Sequence, residues 1–399
     1  MSDSTRQYRR SIQGLLEEQL KYRNIVVVTG MRRTGKTTLL RMIFDSIDDD
    51  NKVFLDMENL LDLEIFLEKD FNNIWNNLKQ FGVTPDRKAY IFVDEIQASP
   101  EVTKAIKYLY DHYTIKFFLT GSSSFYLKNL FPESLAGRKV VFQLSPLDFG
   151  EFLLFKGAHR KSLRLFEEKE ASKNKTAFEK YHHFFMEYCY FGGFPQVVTE
   201  ENETQKSRYL SDILSSYFEK DIRQMADFRN LTAIRELIRL LFPRVGSKLE
   251  ITKIARETGV SRETIYSYLS FLEESYFISR ISPHSTNVDR EVSGTKKVYF
   301  CDNGLLNLFG KVSEGALLEN AVYLNLKQYG KVNYYQRRSG REIDFILSEM
   351  KTAFEVKMKG TEYDLGILKK LASSLKLKEY YVISQLFNDC EGLILAQDL

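Results

Sequence analysis

The first residues whose types and spacing suggest chemistry are Gly30-Met31-Arg32-Arg33-Thr34-Gly35-Lys36-Thr37. They fit G-x-x-x-x-G-K-[ST], a spacing that lets main-chain N–H groups turn inward around a phosphate. Gly35 permits close approach of the backbone. Lys36 brings a point charge to the β- and γ-phosphates, and the Thr37 hydroxyl is a ligand for Mg²⁺. Thr34 and Thr38 belong to the same cradle. Arg32 and Arg33 place two cations beside it, either on nucleotide or on the surface. The expected ligands are ATP and Mg²⁺.

A second group completes such a site. Tyr90-Ile91-Phe92-Val93-Asp94-Glu95 is an apolar strand ending in two acids, the Walker-B arrangement. Asp94 is placed to hold Mg²⁺ next to Thr37, and Glu95 to polarise the attacking water. Phe117-Phe118-Leu119-Thr120 runs into Gly121-Ser122-Ser123-Ser124. Ser122 reads either as a γ-phosphate sensor or as a loop or cap serine. Arg138, after Glu133-Ser134-Leu135-Ala136-Gly137, either reaches phosphate, in its own chain or from a neighbour, or makes a surface ion pair.

The elements that position these groups follow from periodicity. Asn24–Thr29 is a β-branched run apolar on both faces, as a central parallel strand requires. Similar runs occur at Lys52–Met57, Ala89–Val93, Lys116–Thr120 and Lys139–Leu144. Helical patterns lie at Gln7–Leu20, Thr37–Ile47, Leu63–Phe81 and Pro100–His112. Strands alternating with helices predict an α/β parallel sheet with helices on both faces. After Pro146 the texture becomes helical, with a solvated charged segment across Lys156–Lys180.

Ile251–Ile265 has helix–turn–helix grammar, with Gly259 at the turn and Ser261 as the second cap. The second helix runs to about Glu274, and a wing strand begins near Tyr276. Its exposed side carries Arg262, Glu263, Tyr266 and Ser267, too mixed in charge to choose between DNA contact and a structural role. Further on, strands are expected at Lys297–Phe300, Val332–Arg337, Glu342–Leu347, Ala353–Lys357 and Glu379–Ile383. Helices are expected at Ala316–Gln328 and Leu365–Leu375. Residues i and i+2 share a strand face, so Glu355 and Lys357 project together, and a short hairpin brings Asp344 beside them.

Composition bounds the function classes. The 399 residues contain 57 Lys and Arg against 54 Asp and Glu, a net charge of +3, so any basic surface must be local. At ~150 residues per domain two or three domains are expected. Three scattered cysteines give neither a disulfide framework nor a zinc site. No apolar stretch approaches the ~20 residues of a membrane span, and a cytoplasmic protein is expected.

The Gly30–Thr37 loop, Val-Asp-Glu-Ile-Gln, Leu-Thr-Gly-Ser-Ser-Ser, Ser-Leu-Ala-Gly-Arg, Pro-Leu-Asp-Phe-Gly-Glu-Phe-Leu (146–153) and Gly-Gly-Phe-Pro (192–195) occur in an order that resembles the prokaryotic AAA-type P-loop ATPases carrying a C-terminal domain of unknown function. The resemblance covers nearly the whole chain. It implies an ATPase core (1–150), a helical lid or linker (151–235), a winged helix (236–292) and a restriction-endonuclease-like α/β module (293–399). In that module Glu319, Asp344 and Glu355 with Lys357 resemble the PD-(D/E)XK constellation, whose acids hold Mg²⁺ while the lysine orients water. The leading expectation is an Mg²⁺-dependent ATPase whose turnover moves the C-terminal domains. The alternatives are an ATP-gated nuclease or defence effector, and a non-hydrolysing switch that binds DNA or a protein partner. Self-association stays open.

Overall fold

The computed structural model describes residues 8–122, 137–161, 163–222, 231–285, 288–310, 312–337 and 340–399. Ser123, Ser124 and the stretch 133–136 lie outside the described residues. The chain divides into two compact units, one reaching to Ser145 and including Glu274–Tyr276, the other comprising Pro146–Glu273 and Phe277–Leu399.

In the first unit, β1 (Ile25–Thr29), β2 (Lys52–Asp56), β3 (Ala89–Asp94), β4 (Ile115–Gly121) and β5 (Lys139–Gln143) form one parallel sheet in the order β2-β3-β4-β1-β5. Ile25 and Val27 pack on one face with Ile91, Val93 and Trp75. Val26 and Val28 pack on the other with Leu39, Leu40 and Ile43. Both faces are buried, which is why β1 reads as unbroken β-branched sequence. On the second face Phe92 of β3 stacks on Phe118 of β4, centroids 4.7 Å apart.

The single helix expected over Leu63–Phe81 is instead a chain of short pieces: Leu60–Glu64, Phe71–Asn73, Ile74–Leu78 and Lys79–Phe81. The cause is local. Asn59 and Asp70 accept the backbone N–H groups of Leu61 and Asn72 and so restart the chain twice.

The second unit opens with helices, among them Phe149–Phe155, Phe166–Ala171, Lys175–Phe191 and Glu203–Ser216. The charged segment is not simply solvated. Lys169 is buried and donates to the Asp398 and Leu399 carbonyls at 2.6 and 3.0 Å. Arg160 bonds the Gln397 carbonyl at 2.9 Å and the Asp398 carboxylate at 2.6 Å. Gly192 (φ +75°) ends Lys175–Phe191, and the buried Asp302 carboxylate takes the Gly193 N–H at 2.6 Å.

Ile251–Thr258 and Arg262–Glu274 form a helix–turn–helix, with Gly259 at φ +69° and the Ser261 hydroxyl accepting from Thr264 N at 3.2 Å. Ile254, Ile265, Leu269 and Leu272 are buried, whereas Arg262, Glu263, Tyr266 and Ser267 are exposed. An antiparallel ribbon follows, β6 (Ile278–Ile281) against β7 (Lys297–Phe300). A domain boundary at 292/293 would therefore cut a paired ribbon. The last sheet has the order β12-β11-β10-β9-β8, built from β8 (Val332–Gln336), β9 (Glu342–Leu347), β10 (Thr352–Lys357), β11 (Glu379–Ser384) and β12 (Leu393–Leu395). Helix Glu362–Ser374 packs on it through Leu368, Leu371 and Ala372. No described helix is long and apolar enough to cross a membrane.

Candidate functional site

The phosphate loop connects β1 to helix Lys36–Ser46, and its shape is fixed by backbone constraints. A Cβ on Gly30 would lie 2.1 Å from the Leu144 carbonyl oxygen. Arg33 and Gly35 both have positive φ, +67° and +93°, which turns successive N–H groups toward one concavity. The Thr34 hydroxyl donates to the Met31 carbonyl at 2.9 Å, and Arg10 donates to the Thr34 carbonyl at 2.9 Å. The Lys36 ammonium is buried in the loop, donating to the Gly30 and Met31 carbonyls at 3.0 and 3.1 Å. Thr38 and Arg33 are exposed. Arg32 sits 3.7 Å from Glu58, so one of the two loop arginines has an acidic partner.

Asp94 ends β3 only 3% exposed. Burial raises its pKa. Hydrogen bonds from the Thr120 and Thr37 hydroxyls oppose that, and the nearby Glu95 and Asp56 carboxylates add to it. Thr37 and Asp94 thus meet at the carboxyl end of the sheet, although β4 lies between their strands. Asp56 stands in register with Asp94 on the adjacent β2. A cation there relieves the crowding of carboxylates, and the Thr37 hydroxyl with Asp94 fits the sparse protein contribution that Mg²⁺ takes beside substrate phosphates. Among the described residues no group of three or more His, Cys, Asp or Glu is arranged to hold a metal alone.

Glu95 adopts φ +52°, a left-handed conformation that costs a non-glycine residue about 1–3 kcal/mol. Its N–H is held by the Thr120 hydroxyl at 2.8 Å, and its carboxylate accepts a hydrogen bond from the Gln97 amide. The Gln97 carbonyl oxygen accepts from Ser122 N–H at 3.3 Å. Ser122 is buried, and its hydroxyl has no partner among the described residues. Sequence reasoning gave no role to Gln97, Thr120, Asp56 or Arg10. Gln97 and Thr120 left a trace, in Val-Asp-Glu-Ile-Gln and Leu-Thr-Gly-Ser-Ser-Ser.

Arg138 does not reach this site within its own chain. Its carbonyl accepts from Ile25 N at 2.8 Å, so it lies at the start of β5 beside the start of β1. The phosphate loop leaves the far end of β1, roughly 13 Å away at ~3.3 Å per residue. Its guanidinium pairs with Asp111 at 3.4 Å, the surface ion pair rather than the phosphate contact in cis.

In the second unit Glu319 and Asp344, with Glu342, gather around a lysine that sequence reasoning overlooked, while Glu355 pairs with Lys357. The Lys297 ammonium is buried, 3.3 Å from Glu342 and 3.9 Å from Glu319. Burial alone would lower its pKa, but Glu319, Asp344 and Glu342 together raise it. Tyr299 OH donates to Glu319 at 2.6 Å, Asp344 accepts Val356 N–H at 2.8 Å, and Lys357 pairs with Glu355 at 2.7 Å. Burial, then the Asp344 charge, pushes Glu319 and Glu355 each up to about 7. The acids expected to ligate Mg²⁺ are thus served by internal ammonium groups, and no three of them form a metal-holding set among the described residues.

Comparison with known proteins bears on these sites. Residues 22–153 match the model of an AAA domain, which contains both halves of the first site. Residues 182–315 and 314–391 match two domains of unknown function, DUF8612 and DUF4143. The chain is 28% identical over 392 residues to an uncharacterized protein of Methanocaldococcus jannaschii, MJ1544, covering 94% of this chain and 84% of that one. It is 26% identical over 368 residues to an uncharacterized protein of Haemophilus influenzae, covering 87% of each. Among solved structures, the Walker-type ATPase PABY2304 of Pyrococcus abyssi aligns with a TM-score of 0.46 at 16% identity, covering 76% of this chain and 96% of that one. That likeness is too distant to carry function across.

Proposed function

We propose that this AAA-domain chain binds ATP with Mg²⁺ in the Gly30–Thr38 cradle and hydrolyses it. The observation that carries the reading is the meeting of Thr37 and Asp94 across an intervening strand, with Glu95 one residue further on. Main-chain amides of the loop and the Lys36 ammonium hold the β- and γ-phosphates. Thr37 and Asp94 would hold Mg²⁺, which would supply charge neutralisation to the phosphates. Glu95 takes the proton of the attacking water as its oxygen bonds to the γ-phosphorus and ADP departs. Ser122, buried and with its hydroxyl unpartnered among the described residues, serves as the γ-phosphate sensor. The experiment is calorimetry with Mg-ATP beside phosphate release. Lys36→Ala should abolish binding, while Glu95→Gln should keep binding and lose about 10²–10⁴-fold in turnover. Binding without turnover in the wild type would leave a nucleotide switch.

The reading extends to coupling, in which turnover rearranges the second unit with its helix–turn–helix. Its support is that relatives align over most of this chain rather than over the AAA domain alone. A second reading, nucleic-acid cleavage, starts from Asp344 acting by charge on both Glu319 and Glu355, and it requires Mg²⁺ to displace the internal ammonium groups that serve these acids. Incubation with DNA or RNA, Mg²⁺ and ATP tests it. Absence of cleavage, or cleavage undiminished in Asp344→Ala, removes it.

A further inference from the structure

Among the described residues, Gln97 is the one side chain that bonds both to the Glu95 carboxylate and to the residue just past the tip of the neighbouring strand. It is only half-buried, so core packing does not dictate its position. Its amide nitrogen donates to the Glu95 carboxylate, and its amide oxygen accepts the Ser122 N–H. Thr120, near the end of β4 and two residues before Ser122, holds the Glu95 backbone and hydrogen-bonds Asp94 through one hydroxyl. The end of β4 therefore grips the acid pair at two points. Thr120 fixes the main chain, and Ser122 fixes the carboxylate through Gln97. Glu95 itself has a left-handed backbone (φ +52°), just past the end of β3, and its carboxylate takes the Gln97 bond.

We infer that Gln97 is a positioning residue for hydrolysis: it aims the Glu95 carboxylate and ties that aim to the β4 tip where Ser122 lies. This rests on the ATPase reading and adds a specific wiring to it. A carboxylate with a free rotamer spends most of its time away from a reacting water, and a misplacement near 1 Å can cost about 10²-fold in rate. The binding groups, Lys36 and the loop amides, are untouched by Gln97, so the loss falls on kcat.

Two variants separate aim from bulk. Gln97→Ala removes both bonds. Gln97→Glu keeps the size and the acceptor for Ser122 N–H but has no donor for Glu95, and sets a second carboxylate against it. Both should lose about 10–100-fold in kcat, with KM and the calorimetric Kd for Mg-ATP within about threefold of wild type and an unchanged melting temperature. Wild-type kcat in Gln97→Glu would overturn the inference, because size alone would then suffice. So would a loss carried by KM or Kd instead of kcat. These failures leave the ATPase reading standing. That reading fails separately if the wild type has no turnover or if Lys36→Ala turns over normally, and the inference then falls with it.

Discussion

At the scale of single residues, the phosphate loop depends on what is missing from Gly30. The Leu144 carbonyl lies where a side chain would begin, and Leu144 N also donates to the Thr29 carbonyl at 2.7 Å, so Leu144 cannot retreat without opening the β1–β5 edge. Gly30→Ala should destabilise the first unit by about 1–3 kcal/mol, read as a lower denaturant midpoint, and weaken Mg-ATP binding. An unchanged midpoint would mean that the loop absorbs a methyl freely. Glu319 makes a different prediction. A folded-state pKa of about 7 exceeds the ordinary 4.5, so folding retains a proton there between these values. The stability this lends is full below about 4.5 and is lost as pH rises through about 7. In Glu319→Gln that loss is absent, so the variant should gain melting temperature relative to wild type from pH 5 to 7.5. A difference that stays flat would show an ordinary carboxyl. The placing of Lys36, Thr37, Asp94 and Glu95 at one end of the sheet was legible because it depends on spacing along the chain. Gln97 and Lys297 were illegible because their roles depend on rotamer and on which strands end up adjacent.

At the scale of elements, strands were read well and charged helices badly, for a physical reason. A parallel strand buried on both faces is largely apolar, as β1, β3 and β4 are, with the buried Lys116 of β4 and the terminal Asp94 of β3 as polar exceptions. A charged segment shows no such pattern, yet lysine can bury its stem and spend its ammonium on carbonyls. Lys169 does this against the backbone of 398–399, and Lys173 against the Cys390 carbonyl, so the segment read as solvent-facing braces the strand end of the last sheet. Burial lowers the Lys169 pKa to about 8, a sign of how little water reaches it. Lys169→Met keeps the volume but orphans two carbonyls, at about 1–3 kcal/mol for an unsatisfied buried group. Hydrogen exchange at Leu393–Leu395 should quicken. Unchanged protection there would mean that the β11–β12 pairing alone secures the edge.

At the scale of the whole molecule, the three family matches at 22–153, 182–315 and 314–391 partition the chain differently from the family resemblance, which implied breaks near 150, 235 and 292. The β6–β7 ribbon joins residues on both sides of 292 by main-chain bonds. The first break is therefore the one with thermodynamic meaning, and nucleotide offers a way to measure it. A ligand that binds only the native first unit stabilises it by RT ln(1 + [L]/Kd), about 2.7 kcal/mol at a hundredfold excess over Kd. For a unit near 145 residues this is a shift on the order of 5–11 °C. Hydrogen exchange should slow in β1, helix Lys36–Ser46 and β3, and Lys36→Ala should erase both effects. The second unit holds none of the proposed nucleotide contacts, so simple binding leaves exchange in β8–β12 unchanged. Altered exchange there with Mg-ATP, absent in Lys36→Ala, would be the mark of coupling. A change confined to residues before Ser145 would limit the nucleotide's action to the AAA domain.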